Sequence, residues 1–127
     1  MTPERVLSGL LVWMLMLVGC ASQPQPMSEK PPAQPATLDP QAVVALNNRA
    51  LSLKDEGEFR EAARLLRTGV EASPATPELH YNLAVITELY LLDLETALAH
   101  YRRYRELTGD DDRQVAGWMA DLERRLQ

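Results

Sequence analysis

The sequence predicts an all-α fold, and three observations carry that expectation. Beyond residue 40 the chain is dominated by Ala, Leu, Glu and Arg, which favour helix. No stretch alternates apolar and polar residues with the period of two that marks a strand. The same region also repeats itself. Leu46, Asn48, Ala50 and Leu53 are matched thirty-four positions later by His80, Asn82, Ala84 and Thr87. Phe59, Ala62, Leu66 and Pro74 are matched thirty-five later by Leu94, Ala97, Tyr101 and Gly109, so one residue is inserted between about Glu88 and Asp93. The expected architecture is a short α-solenoid: two helix-turn-helix repeats over residues 41–109 and a capping helix over 110–127. A signal segment over 1–19 and a disordered tether over 20–40 precede them.

Val6 to Val18 is an apolar run of thirteen residues, counting Ser8 and Gly9, with Arg5 before it and Gly19, Cys20 and Ala21 after it. A membrane-spanning helix needs ~20 apolar residues, so this run reads as the core of a cleaved export signal. Glu4 offsets Arg5 and weakens the basic end. Leu17-Val18-Gly19-Cys20 resembles the lipobox of bacterial lipoproteins. The resemblance implies cleavage between Gly19 and Cys20 and a covalent lipid, palmitate among its chains, on Cys20. The competing reading is a chance cysteine at the end of an uncleaved anchor. Each buried methylene contributes ~0.8 kcal/mol, so two or three acyl chains would hold the protein on a membrane durably. Ala21 and Ser22, by the same analogy, point to the outer membrane, facing the periplasm. No other cofactor is expected.

The segment from Gln23 to Pro40 contains Pro24, Pro26, Pro31, Pro32, Pro35 and Pro40 among Gln, Ala, Ser and Glu. It lacks the apolar surface to fold and favours extended polyproline II, at ~3.1 Å per residue. Fully stretched, it reaches on the order of 50 Å. A plain spacer is the expected role, with a proline-motif ligand as the alternative.

Five helices are expected in the rest, at residues 41–56, 58–72, 77–91, 94–107 and 112–126. Asp39 before Pro40, and Thr76 before Pro77, are N-cap and first-turn signals, while Gly57 and Gly109 stand where helices should end. Ala50, Ala84, Ala62 and Ala97 are small where paired helices must approach, with Leu46, Leu53, Phe59 and Leu66 filling the space around them. The last helix places Val115, Trp118, Met119, Leu122 and Leu126 on one face and Arg113, Asp121, Arg124 and Arg125 on the other. That is the form of a polar-backed cap, which a two-repeat array needs. A docking face for another chain is the competing reading.

Ala50, Leu53, Gly57, Phe59, Ala62, Leu66 and Pro74, with His80-Tyr81-Asn82-Leu83-Ala84 and Ala97-Leu98-Ala99-His100-Tyr101, resemble the tetratricopeptide repeat. Leu46, Arg49, Gly69, Thr87 and Gly109 depart from its pattern. The resemblance covers about Gln41 to Gly109. It implies a concave face lined by the first helix of each repeat, here by Val44, Asn47, Leu51 and Lys54, then Glu78, Tyr81, Val85 and Glu88. A protein or peptide ligand is the implied occupant, with Tyr81 as its anchor.

Catalysis is not expected. No nucleophile and base, paired carboxylates or metal-spaced ligands stand out, and a single cysteine excludes both an internal disulfide and a thiolate metal cluster. His80 occupies a packing position and reads as a satisfied core histidine, while His100 and Tyr104 stand four apart on one helix with no Glu-His pairing beside them. Asp110, Asp111 and Asp112 read as N-cap residues, because the glycine and closing glutamate of a calcium loop are missing. Arg102, Arg103 and Arg105 suit a helix C-terminus, with a basic contact patch as the alternative. Asn48 and Asn82 are expected to bond backbone between adjacent helices. A net charge of -5 without a basic block makes nucleic acid an unexpected partner. The expected function is therefore a lipid-anchored, protein-binding scaffold or assembly factor for an envelope complex of pilus, secretion or outer-membrane assembly type. The alternative is a structural spacer that forms homo-oligomers through the Trp118 face. A hydrolase is the third and least supported option.

Overall fold

Asp39 and Pro40 open the first helix of the structure, a computed structural model that describes residues Leu38–Gln127. Five helices follow: α1 (Pro40–Asp55), α2 (Phe59–Ala72), α3 (Pro77–Leu89), α4 (Leu94–Thr108) and α5 (Arg113–Arg125), with no strand among the described residues. The signal segment, the Gly19–Cys20 junction and the tether as far as residue 37 lie outside the described residues.

Helix starts follow local chemistry. The Asp39 carboxylate accepts from the Gln41 amide at 3.3 Å, and Asp93 accepts from the Thr96 amide at 3.1 Å. Asp112 accepts from the amides of Gln114 and Val115 at 3.0 and 3.1 Å. Of the three consecutive aspartates only Asp112 caps; Asp110 instead pairs with Arg105 at 3.2 Å. The expected Thr76 cap does not form. Its hydroxyl lies 2.8 Å from that of Ser73, and Pro77 alone sets the start of α3.

Helix ends follow the backbone. Gly57 at φ 85° closes α1 with the paired bonds of a Schellman turn, Glu58 N–H to the Leu53 carbonyl and Gly57 N–H to that of Lys54. Gly109 at φ 83° ends α4. The third helix stops at Leu89, two residues before the expected Leu91, because the chain turns through Tyr90 and Leu91 to Leu92 at φ 56°. Leu92 lies thirty-five positions after Gly57 and adopts the same left-handed conformation, at a cost of roughly 1 kcal/mol or more for a residue with a Cβ. Its side chain is 72% exposed, so packing offsets little of that cost. Leu92→Gly is expected to stabilise the domain by roughly 0.5 to 1 kcal/mol, read as a rise in Tm, since the added freedom of the unfolded chain takes back part of the relief. A lower Tm would mean that the Leu92 side chain contributes packing.

Neighbouring helices in sequence pack on one another, α1 on α2, α2 on α3, α3 on α4 and α4 on α5, and α1 also touches α3. The four repeated alanines, Ala50, Ala62, Ala84 and Ala97, are completely buried, as expected of positions where helix surfaces meet. Two apolar clusters result. Val43, Leu53, Leu66, Leu79, Leu83 and Ile86 belong to the first, and Leu98, Tyr101, Val115 and Leu122 to the second. Thr87 replaces an apolar residue of the first copy inside this core, and its hydroxyl is satisfied by the carbonyls of Leu83 and Ala84 at 2.8 and 3.0 Å. Gly69, where the repeat pattern has alanine, is buried in α2. A methyl there would stand 2.7 Å from Leu46 Cδ2, so glycine permits the close approach of α1.

The face of α5 turns inward as expected for Val115 and Leu122, which are buried, and for Trp118 and Met119, which are half-buried. Leu126 is the exception. The helix ends at Arg125, which leaves Leu126 40% exposed.

Candidate functional site

The face that the repeat resemblance implies for binding comes from α1 and α3, and one side-chain bond joins them. Asn82 Nδ2 donates to Asn47 Oδ1 at 2.8 Å, while Asn48 is exposed. The expectation that Asn48 and Asn82 bond backbone between helices is therefore corrected to an amide-to-amide clasp using Asn47.

Beside that clasp lies an open depression of about 370 Å³ lined by Asn47, Pro77, Glu78, Tyr81, Asn82, Tyr104, Thr108 and Asp112. Three of the eight expected groove residues, Asn47, Glu78 and Tyr81, meet here. The other five do not line it. Val44 is 59% exposed, Leu51 is half-buried on α1, and Lys54 pairs with Asp55 at 2.8 Å. Val85 packs into the second apolar cluster. Glu88 is taken up within the fold, accepting from the Tyr101 hydroxyl at 2.9 Å with Arg125 at 3.7 Å. The C-terminal half of the α3 face is thus occupied by residues of α4 and α5.

Tyr81 is less free than an isolated anchor. Its ring centroid stands 5.3 Å from that of Tyr104 and 6.4 Å from those of Tyr101 and Trp118, so the ring is part of an aromatic cluster. Tyr81→Ala would disturb the core as well as the surface. The Tyr104 hydroxyl donates to Asp112 Oδ2 at 3.2 Å. Burial raises the Tyr104 phenol above its ordinary range, and the bond to Asp112 and the negative field of Asp112, Tyr81 and Glu78 raise it further.

Pro77, Asn82, Tyr104, Thr108 and Asp112 were not among the expected groove residues. One signal for Asp112 is in the sequence: a further thirty-five positions carry His80, Ala84 and Thr87 onto Val115, Met119 and Leu122. Alpha-5 therefore continues the register of α1 and α3, and the same step carries Pro77 to Asp112. Tyr104 and Thr108 come from the end of α4, and only the helix crossing brings them in.

The other polar feature is a histidine pair. His80 Nε2 lies 2.9 Å from the Pro74 carbonyl, which can only accept, so that nitrogen carries the proton. With both rings neutral, His80 Nδ1 accepts from His100 Nδ1–H at 2.9 Å. His80 is buried with both nitrogens satisfied, in keeping with a core role. Burial, His80 and Arg67 together push the half-buried His100 down from 6.5 to about 4, against the opposing pull of Asp93.

Between those values the unfolded chain binds a proton that the folded chain refuses. Stability is therefore complete above about pH 6.5 and falls as the pH drops toward 4. Solvent screening of the partly exposed ring reduces the loss to roughly 1 to 2 kcal/mol. Urea unfolding at pH 7 and pH 4.5 is expected to show this loss, and His100→Asn to reduce it. An equal loss in the variant would assign the pH dependence to other groups.

Among the described residues, no three His, Cys, Asp or Glu side chains are grouped to hold a metal ion, and no helix is long and apolar enough to cross a membrane. No protein-family model matches the sequence, and no curated protein matches it at a significant level. The fold and this site define an all-helical protein with an open, polar and aromatic depression between its helices.

Proposed function

We propose that this protein is a bacterial envelope lipoprotein, held by a lipid on Cys20, whose two tetratricopeptide-like repeats and capping helix bind a protein partner. The carrying observation is the depression beside the Asn47–Asn82 clasp, lying on the face that the repeat assigns to ligands. Further support comes from the repeat register itself, with complete burial of all four repeated alanines. The lining mixes carboxylate, amide and phenol groups, which suits recognition of a peptide segment. The role is that of a scaffold or assembly factor at the outer membrane, with the proline-rich tether giving the domain reach from the lipid surface.

The anchoring half of the reading is tested by metabolic labelling. Palmitate is expected in the wild-type chain but not in Cys20→Ser, and the variant should leave the envelope fraction. An unlabelled wild-type chain in the soluble fraction would overturn the anchor.

A second reading, a self-associating spacer, draws on a different surface from the one first expected. Trp118 is half-buried against Tyr81 and Tyr101, whereas Leu89, Tyr90 and Leu92 are exposed together at the α3–α4 turn. Analytical ultracentrifugation of the wild-type chain and Leu92→Glu separates the readings: self-association lost in the variant favours the spacer, and a monomeric wild type removes it.

A further inference from the structure

We infer that the depression between α1, α3 and the start of α5 receives an arginine side chain from an extended segment of the partner. The inference rests on the binding reading above and specifies the chemistry of its ligand.

Charge gives the sign. Glu78 and Asp112 are the charged residues of the lining, and no lysine or arginine accompanies them. Asp112 is largely occupied, one oxygen capping α5 and the other accepting from Tyr104. Glu78 is exposed and forms no ion pair with the described residues, which leaves its carboxylate available. An acidic segment would meet two like charges here.

Shape and ring chemistry favour arginine over lysine. The Tyr81 and Tyr104 rings, 5.3 Å apart and inclined at 53°, form an aromatic wall beside Glu78. A planar guanidinium can stack on a phenol ring while forking to a carboxylate, whereas a compact ammonium gains less from the ring. The Asn clasp supplies the remaining fit. With Asn82 Nδ2 and Asn47 Oδ1 bonded together, Asn82 Oδ1 can still accept and Asn47 Nδ2 can still donate. That is one acceptor and one donor for the backbone of an extended segment, beside the pocket for its side chain.

The test titrates the full chain with three blocked pentapeptides, Ala-Ser-X-Ser-Ala, where X is arginine, citrulline or glutamate. Amide NMR shifts are followed at Glu78, Tyr81, Asn82 and Asp112. The arginine peptide is expected to shift these amides and saturate. Citrulline, its neutral isostere, should bind at least tenfold more weakly, and glutamate should leave the amides unmoved. Glu78→Gln should weaken arginine-peptide binding several-fold and Glu78→Lys should abolish it, each with an unchanged circular dichroism spectrum and a Tm lowered only by the loss of a favourable charge from the first turn of α3. Equal binding of arginine and citrulline peptides, no response to the arginine peptide at millimolar concentration, or unaltered binding to Glu78→Lys would overturn the assignment. A partner crosslinked through position 78 in cells, together with no preference for arginine, would leave the binding reading standing and remove the arginine.

Discussion

A chain that stops at Asp110 is expected to lose its cooperative thermal transition. Val115 and Leu122 are 1% and 0% exposed, and burial of such side chains contributes about 1.5 to 3 kcal/mol each. Trp118 and Met119 add further contact with the same cluster. Domains of this size hold only about 5 to 15 kcal/mol in total, so loss of α5 removes most of that margin. It also opens the α4 side of Ala97, Leu98 and Tyr101 to water. The milder Leu122→Ala should cost about 2 to 5 kcal/mol and leave a lowered but cooperative melt. Circular dichroism melts of the two variants check both points. A truncated chain that melts cooperatively within a few degrees of the full one would show that α5 is dispensable to the core.

Tyr101→Ala should be the most damaging single substitution, at about 3 to 5 kcal/mol by urea unfolding. Tyr101 is 1% exposed, and its ring packs against Tyr81 and Trp118 at centroid distances of 6.4 and 5.8 Å. Its hydroxyl also holds Glu88, whose side chain is only 12% exposed. Tyr101→Phe keeps the ring and removes that donor, which isolates the polar part at about 1 to 3 kcal/mol. Changing Glu88 to Leu in the Phe background should recover some of the loss, because the carboxylate that has lost the Tyr101 donor is removed, less what its pair with Arg125 at 3.7 Å contributes. If the double variant is no more stable than Tyr101→Phe alone, the hydrogen bond is not the source of the polar cost. Because Tyr81 leans on Tyr101, the Ala variant is also expected to disorganise the depression.

What the sequence made legible was mostly local. Pro40 and Pro77 mark helix starts and Gly57 and Gly109 mark helix ends, signals contained in a few neighbouring residues, while the alanines that mark the packed surfaces stand out through the repeat. The end of α3 was less visible because Leu92, with neither glycine nor proline nearby, takes the left-handed turn. Matching Leu92 to Gly57 through the repeat is the signal that would have located it.

The candidate site was legible by halves for the same reason. Asn47, Glu78 and Tyr81 belong to the spacing that the repeat resemblance implies for a binding face on α1 and α3. Val85 and Glu88 share that spacing, yet α4 and α5 claim them, and which part of a helix face a later helix covers depends on its crossing. Tyr104 and Thr108 enter the depression through that crossing too. The histidine pair joins side chains twenty positions apart on α3 and α4, and no local pattern announced it.

Under the proposed function, the α1–α3 face contacts a protein partner beside the membrane. A photoreactive residue placed at position 78 in intact cells tests it directly, with position 64 on the exposed side of α2 as the control. Position 78 is preferable to 81 because the Tyr81 ring is packed within the aromatic cluster. A single defined adduct from position 78, recovered with the envelope and absent from position 64, is the expected result. No adduct at 78, or the same adducts from both positions, would contradict it.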